Sequence, residues 1–199
     1  MIAHESPANI DNPSIGSTML YTSGTTGRPK GVFRRQPAAS QLTAVCNETA
    51  NWRAGADASL VTGPLYHAAP LGINFAIPIV AGVTVILMDK WDAEETLRLI
   101  ETHKATHTHL VPTMMHRMLQ LPEATRAKYD ISSMRWIIHG AAQCPGHVKK
   151  AMMDWFGPVI YEYYSSTEGG GVFVRPHDWL KKPGTVGKAV SGVAIKLLD

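Results

Sequence analysis

Cysteine is scarce in this sequence, which has only two, Cys46 and Cys144, far apart and in no CxxC pair. A disulfide framework and a thiolate metal site are therefore excluded, and a reducing, cytoplasmic compartment is expected. No apolar run reaches the length that spans a membrane, so we expect no transmembrane segment. Residues 1–16 are polar and lack the apolar core of a signal peptide. We expect them to form a flexible N-terminal lead.

Charge of one sign is also in small excess. The 19 Lys and Arg residues outnumber the 16 Asp and Glu residues by three, which gives a formal net charge of +3. The basic residues are scattered and form no stripe, so a nucleic-acid partner is not expected. Hydrophobic residues make up 45% of the chain and charged residues 18%, a balance typical of a folded globular domain. The mild positive excess suits small anionic ligands.

Short β-rich segments alternate with helical patterns along most of the chain, and this repetition predicts an α/β fold with a mainly parallel sheet flanked by helices. Ligands in such folds bind outside the carboxyl ends of the strands, which is where three of the motifs below begin. Segment 169–171 reads as a turn. The predicted strands are 17–21, 83–88, 106–111, 135–138, 159–164, 186–190 and 193–198, and the predicted helices are 36–53, 92–103, 113–120 and 147–156.

Helix 92–103 has the clearest pattern. Asp92 is placed to cap it, Glu95 completes a capping box, and Leu97 and Ile100 are expected to face the core.

The segment Thr22–Gly31 combines four hydroxyl residues, three glycines and one lysine in ten positions. Glycines let main-chain N–H groups turn toward an anion, hydroxyls add donors, and a lysine adds positive charge. This chemistry predicts a polyphosphate-binding loop. The candidate ligands are Thr22, Ser23, Gly24, Thr25, Thr26, Gly27 and Lys30.

A Walker loop is the obvious alternative, since Lys30 lies at the right spacing from Gly24. Pro29 stands where that motif requires glycine, and Gly31 stands where it requires the magnesium-binding Ser or Thr. Both residues also disfavour the helix that must follow. A P-loop hydrolase is therefore disfavoured.

Tyr21–Val32 resembles the signature of the adenylate-forming superfamily, which includes acyl-CoA synthetases, firefly-type luciferases and peptide-synthetase adenylation domains. The segment Tyr164–Glu168 resembles the Tyr-Gly-x-Thr-Glu motif of that family, although Ser165 replaces its usual glycine. Chemically, Tyr164 offers a face for adenine, Thr167 a hydroxyl for phosphate, and Glu168 a hard oxygen ligand for Mg²⁺. The candidate nucleotide ligands here are Tyr163, Tyr164, Ser165, Ser166 and Thr167.

Two further segments resemble parts of the same family. Gly140, Ala141 and Ala142 correspond to small residues whose backbone approaches adenine, although close packing alone would also explain them. Pro64–His67 resembles a segment whose last residue lies near the substrate carboxylate. The resemblance implies that Lys30 holds the β- and γ-phosphates and that Thr22 joins Glu168 on Mg²⁺. The candidate catalytic residues are His67, Lys30 and Glu168.

The resemblance implies a reaction in two halves. A carboxylate attacks the α-phosphate of ATP to give acyl-adenylate and pyrophosphate, and coenzyme A then takes the acyl group. Segment 68–73 has no acidic residue to balance a substrate ammonium, so an uncharged fatty or ring-bearing acid is expected. Segment 163–171 resembles the fatty-acid–CoA ligase branch.

Family members are more than twice as long as this chain. We therefore expect residues 1–199 to be a partial adenylation domain, the middle of the large N-terminal domain, without the small C-terminal domain and its catalytic lysine. Such a fragment is expected to keep weak nucleotide binding and little complete activity, and to self-associate through apolar surface left by the truncation. A non-catalytic homologue that binds only nucleotide or a partner chain is the alternative.

Overall fold

The computed structural model describes residues 18–22, 27–33, 41–167 and 169–198, in two compact units, Met1–Ala38 and Ala39–Asp199. The predicted N-terminal lead, 1–16, lies outside the described residues. In the first unit, strand β1 (Leu20–Thr22) pairs antiparallel with strand β2 (Lys30–Val32). The predicted strand 17–21 is thus confirmed in part, and it belongs to a β-hairpin.

The second unit is built on a seven-stranded sheet, which confirms the predicted α/β class. Its spatial order is β4-β3-β5-β6-β7-β8-β9, and every neighbouring pair from β4 through to β7 is parallel, whereas the β7–β8 and β8–β9 pairs are antiparallel. The strands are β3 (Ala58–Val61), β4 (Thr84–Leu87), β5 (His107–Leu110), β6 (Trp136–His139), β7 (Ile160–Ser166), β8 (Gly169–Val174) and β9 (Lys188–Ala189).

Helices cover both faces of this sheet. One face buries a core with α3, α4, α6 and α7, and the other buries a core with α1 and a π-helical segment, Pro70–Ala76. Among the described helices, none is long and apolar enough to cross a membrane. The α-helices are α1 (Gln41–Ala50), α2 (Ile77–Val80), α3 (Ala93–His103), α4 (Pro112–Leu119), α5 (Glu123–Ala127), α6 (Gly146–Phe156) and α7 (Pro176–Lys181).

Helix α3 follows its sequence pattern closely. The Asp92 carboxylate accepts the Glu95 N–H at 2.9 Å, and Leu97 and Ile100 are buried as expected. The predicted capping box is wrong in its second half, because both Glu95 carboxylate oxygens accept bonds from Arg98 at 2.6 Å. An i,i+3 ion pair on the exposed side of the helix takes the place of the reciprocal cap.

Strands β3 and β8 were not predicted. All four residues of β3 are buried, so the segment lacks the apolar–polar alternation that identifies a half-exposed strand. Segment 169–171 looked like a turn because it is three glycines, but it opens β8. A Cβ at Gly171 would lie 3.2 Å from the Leu42 side chain, so glycine lets α1 pack closely on the strand.

The C-terminal strands were overpredicted. Of segment 186–190 only Lys188–Ala189 forms a strand, β9, and 193–198 is irregular and mostly exposed. The predicted strand at 193–198 is wrong. A strand forms only against a partner, and the sheet ends at β9, which is too short to template another.

Candidate functional site

The phosphate-loop candidate lies in the hairpin of the first unit. Thr22, the last residue of β1, is paired across the ladder with Lys30, the first residue of β2. Gly27 has φ +80°, a left-handed conformation that favours glycine, and segment 27–30 is exposed. The pairing brings a hydroxyl and a lysine side by side at the mouth of the loop. Ser23, Gly24, Thr25 and Thr26 lie outside the described residues.

Lys30 begins a strand, whereas in a Walker loop the lysine stands at the start of a helix. The hairpin therefore excludes the P-loop architecture, in agreement with the argument from Pro29 and Gly31.

In the second unit, the parallel strands bring three of the predicted segments to one edge of the sheet. His67 follows β3, Gly140 follows β6, and the Tyr164 segment ends β7. Because β3, β5, β6 and β7 are neighbours in that order and run parallel, their carboxyl ends share one edge.

His67 is exposed, in a short turn just before the π-helical segment. Its N–H donates to the Pro64 carbonyl at 3.1 Å, and its ring centroid lies 4.8 Å from that of exposed Tyr66. A Cβ on Gly63 would come within 2.6 Å of Pro70, so this turn is packed against the start of the π-helix. π-Helical turns are rare in proteins overall, and those that occur are often found at functional sites.

The small-residue segment makes a strained exit from β6. Gly140 is buried, whereas Ala141 and Ala142 are exposed. Ala141 has φ +68°, a left-handed conformation that costs a non-glycine residue roughly 1–3 kcal/mol. Strain of this kind persists where the surrounding structure enforces it.

Adjacent residues Tyr163 and Tyr164 of β7 point to opposite faces of the sheet. Tyr163 is 7% exposed, with little surface for a ligand, and Tyr164 is 67% exposed. The β7–β8 register slips between Tyr164 and Ser166, where one intervening residue on β7 faces two on β8. Such bulges are common next to active sites because they redirect side chains. Of the two rings, Tyr164 is the one with a face open to a ligand.

Hydroxyl groups fill the end of β7. Ser165 Oγ lies 3.5 Å and Ser166 Oγ 3.2 Å from the Gly169 carbonyl, to which each donates. The Ser165 side chain, at the position of the glycine in the motif that Tyr164–Glu168 resembles, thus lies along the β7–β8 turn. Thr167 is half-buried, and Glu168 lies outside the described residues. Hydroxyl and carbonyl oxygens are hard donors of the kind Mg²⁺ prefers, and a carboxylate would have to come from Glu168.

A buried polar chain lies directly below this edge. Tyr163 Oη lies 3.0 Å from His109 Nε2, and the His109 carbonyl accepts a 2.5 Å bond from Thr62 Oγ1. Burial lowers the pKa of His109 to about 4, so its ring is neutral at neutral pH. Sequence reasoning treated His109 as an ordinary strand residue. Its place on the same strand face as His107 was the one available signal.

A second buried cluster lies on the opposite face of the sheet. Lys149 Nζ donates to Glu162 Oε2 at 2.5 Å, and both side chains are at least nine-tenths covered. His139 Nε2 is 3.5 Å from the same oxygen, yet neither ring nitrogen of His139 has a hydrogen-bond partner among the described residues. Burial and the nearby Lys149 charge hold the pKa of His139 well below its usual value. The ion pair is therefore Lys149–Glu162, beside a neutral imidazole.

Three comparisons with known proteins agree with one another. The model of the family "AMP-binding enzyme" matches residues 3–199. The chain is 32% identical over 188 residues to an indoleacetate–CoA ligase of Aromatoleum aromaticum, covering 94% of this chain and 36% of that protein. It is 35% identical over 154 residues to the medium/long-chain-fatty-acid–CoA ligase FadD8 of Mycobacterium tuberculosis, covering 75% and 25%.

Among solved structures, the o-succinylbenzoate CoA synthetase of Bacillus subtilis in complex with its acyl-adenylate intermediate matches with a TM-score of 0.67. The two chains are 27% identical, and the match covers 87% of this chain and 34% of that one. The chain thus spans about a third or less of the length of these relatives.

Proposed function

The chain belongs to the AMP-binding enzyme family, and we propose that it supplies the nucleotide-binding part of an enzyme that joins a carboxylic acid to coenzyme A through an acyl-adenylate. The observation that supports this most is the shared carboxyl edge of β3, β6 and β7, to which the sheet brings His67, the strained Ala141 turn and the exposed Tyr164 ring. Adenylate formation needs such an edge, because the acid and the α-phosphate must be held together for attack.

In this proposal the adenine lies against the Tyr164 ring and the backbone of Gly140, Ala141 and Ala142. Ser165, Ser166 and Thr167 add hydroxyl donors, and Tyr163 supports the group from below. His67 orients the acid and balances charge that develops during the attack. The exposed position of His67 and Tyr66 is compatible with contact to a bound acid.

The hairpin loop of the first unit is the proposed holder of the β- and γ-phosphates. Lys30 supplies the charge, and Thr22, Ser23, Gly24, Thr25, Thr26 and Gly27 supply hydroxyl and main-chain donors. The Thr22–Lys30 pairing supports this assignment. Glu168 and Thr22 would hold Mg²⁺, which neutralises phosphate charge when bound.

An uncharged acid, aliphatic or ring-bearing, is the proposed substrate. Residues 68–76, which include the π-helical segment, contain no charged side chain, so an ammonium group on the substrate would lack a partner. Indoleacetate and fatty acids, named for two relatives, both fit this description.

We further propose that the complete reaction needs a small domain beyond these 199 residues, given the coverage of the relatives. Self-association is proposed through β4, an edge of the described sheet. The Thr84 and Met88 N–H groups donate to carbonyls just before and at the end of β3, those of Asp57 and Val61, so the main chain of Val85 and Leu87 points away from β3. Leu87 is 53% exposed, and an open, uncharged edge favours pairing with a second copy.

Acid-dependent ATP–pyrophosphate exchange on the 199-residue chain tests the proposal, with indoleacetate and a medium-chain fatty acid as substrates. Exchange would support adenylation, ATP binding without exchange would support the non-catalytic alternative, and neither binding nor exchange would refute both. Lys30→Ala should weaken ATP binding by about tenfold or more, the loss of a charged phosphate contact, and change AMP binding little. The control is Lys90→Ala, an exposed lysine outside the motifs. Equal loss in both variants would contradict the role of Lys30.

A further inference from the structure

The turn that begins at Gly140 follows the middle one of three neighbouring strands. In the sheet, β6 lies between β5 and β7. His109 is on β5 and Tyr163 is on β7, yet Tyr163 Oη and His109 Nε2 are 3.0 Å apart. Two strands separated by a third lie about 9.6 Å apart, so these side chains reach toward each other over β6.

This contact depends on the absence of a side chain at residue 140. A Cβ on Gly140 would lie 2.5–2.8 Å from three atoms of the Tyr163 ring, closer than any real packing contact. The Tyr163 ring therefore occupies the space where the side chain of residue 140 would be. Directly after this close contact the backbone takes the left-handed conformation of Ala141, φ +68°, and turns out to solvent.

The contact between Tyr163 and His109 is also held in place at His109. Thr62, directly after β3, donates to the His109 carbonyl at 2.5 Å, and the His109 and Tyr163 ring centroids are 5.8 Å apart. Both rings are buried, with 4% and 7% exposure, so water does not compete for the bond. Burial raises the pKa of the Tyr163 hydroxyl and lowers that of His109, so both groups stay neutral and one donates to the other.

We propose that the His109–Tyr163 bridge is a positioning device that holds the Gly140–Ala142 turn in its strained, ligand-ready conformation. Both are positioning residues, because the Tyr163 ring contacts Gly140 in the turn and His109 contacts Tyr163. The exposed Ala141 and Ala142 face solvent. This inference rests on the proposed function only where it concerns nucleotide binding. The structural part, that the bridge sets the turn, stands without it.

The test compares Tyr163→Phe, which keeps the ring on Gly140 and removes only the hydroxyl, with Tyr161→Phe, which removes the same group two residues away on the same strand. The first readout needs no ligand: the NMR chemical shifts of the Ala141 Cα and methyl group report its backbone conformation. In Tyr163→Phe these shifts should move toward those of an unconstrained alanine, and in Tyr161→Phe they should not. Unchanged Ala141 shifts in Tyr163→Phe would overturn the proposal.

The second readout is ATP affinity by calorimetry. Loss of one buried hydrogen bond should raise the ATP Kd about threefold to tenfold in Tyr163→Phe and less than twofold in the control. His109→Leu should match Tyr163→Phe, the double variant should be no worse than either, and His109→Gln, which can still reach the hydroxyl, should recover part of the affinity. Independent, additive losses would refute the bridge. If the unmodified chain binds no ATP, the proposed function fails, and the Ala141 shifts still decide the positioning role.

Discussion

Acid sensitivity of the fold follows from the histidines that β5 buries. His107 is 0% exposed, with Nε2 2.8 Å from the Ala50 carbonyl and Nδ1 2.7 Å from Thr106 Oγ1. Burial lowers its pKa from 6.5 to about 4. The unfolded chain therefore binds this proton more readily than the folded chain whenever the pH lies between these two values.

The sign and size of the effect follow directly. Because the pKa of His107 is lower in the folded state, stability is present above pH 6.5 and is lost as the pH falls toward 4. At about 1.4 kcal/mol for each pH unit, the loss is about 2 kcal/mol at pH 5 and about 3 kcal/mol at pH 4. His109 has the same pKa and doubles the effect. Against a typical total of about 5–15 kcal/mol, this is a large fraction.

Urea unfolding followed by tryptophan fluorescence between pH 5 and 8 measures it. His107→Gln removes the titrating group, so its loss of stability between pH 7 and pH 5 should be smaller than that of the unmodified chain by about 2 kcal/mol. His177→Gln, at an exposed position, should follow the unmodified chain. Parallel stability profiles for His107→Gln and the unmodified chain would show that the reasoning is wrong, whatever the absolute stability of the variant.

Two further predictions concern charge and edges. Glu162→Gln leaves the buried Lys149 without its charged partner and should destabilise the fold by about 3–5 kcal/mol. Asp154→Asn, which breaks the exposed ion pair with Lys150, should destabilise it by less than about 1 kcal/mol. Equal losses of stability in urea titrations would contradict the burial argument. Leu87→Lys places a charge on the open edge of β4 and should shift any dimer to monomer in light scattering, and an unchanged mass would exclude pairing through β4.

The sequence predicted those parts of the structure that depend on residues close together in the chain. The cap at Asp92 and the apolar positions Leu97 and Ile100 predicted α3, since a helix is specified by residues close together in the chain. Alternation of strands and helices predicted the α/β class, and the composition of Thr22–Gly31 predicted a loop unlike a Walker motif, because Pro29 and Gly31 act on their own backbone.

Tertiary structure decided what depends on residues far apart in the chain. Gly171 lies in β8, which pairs with β7, and its lack of a side chain lets α1 pack on the strand; no local pattern contains that information. Which of two adjacent tyrosines faces solvent was settled by the register of β7, and the contact between Tyr163 and His109 by the order β5-β6-β7. Residues 54 positions apart meet only after the sheet has formed, so the sequence could name the segments of the site but not the bridge beneath them.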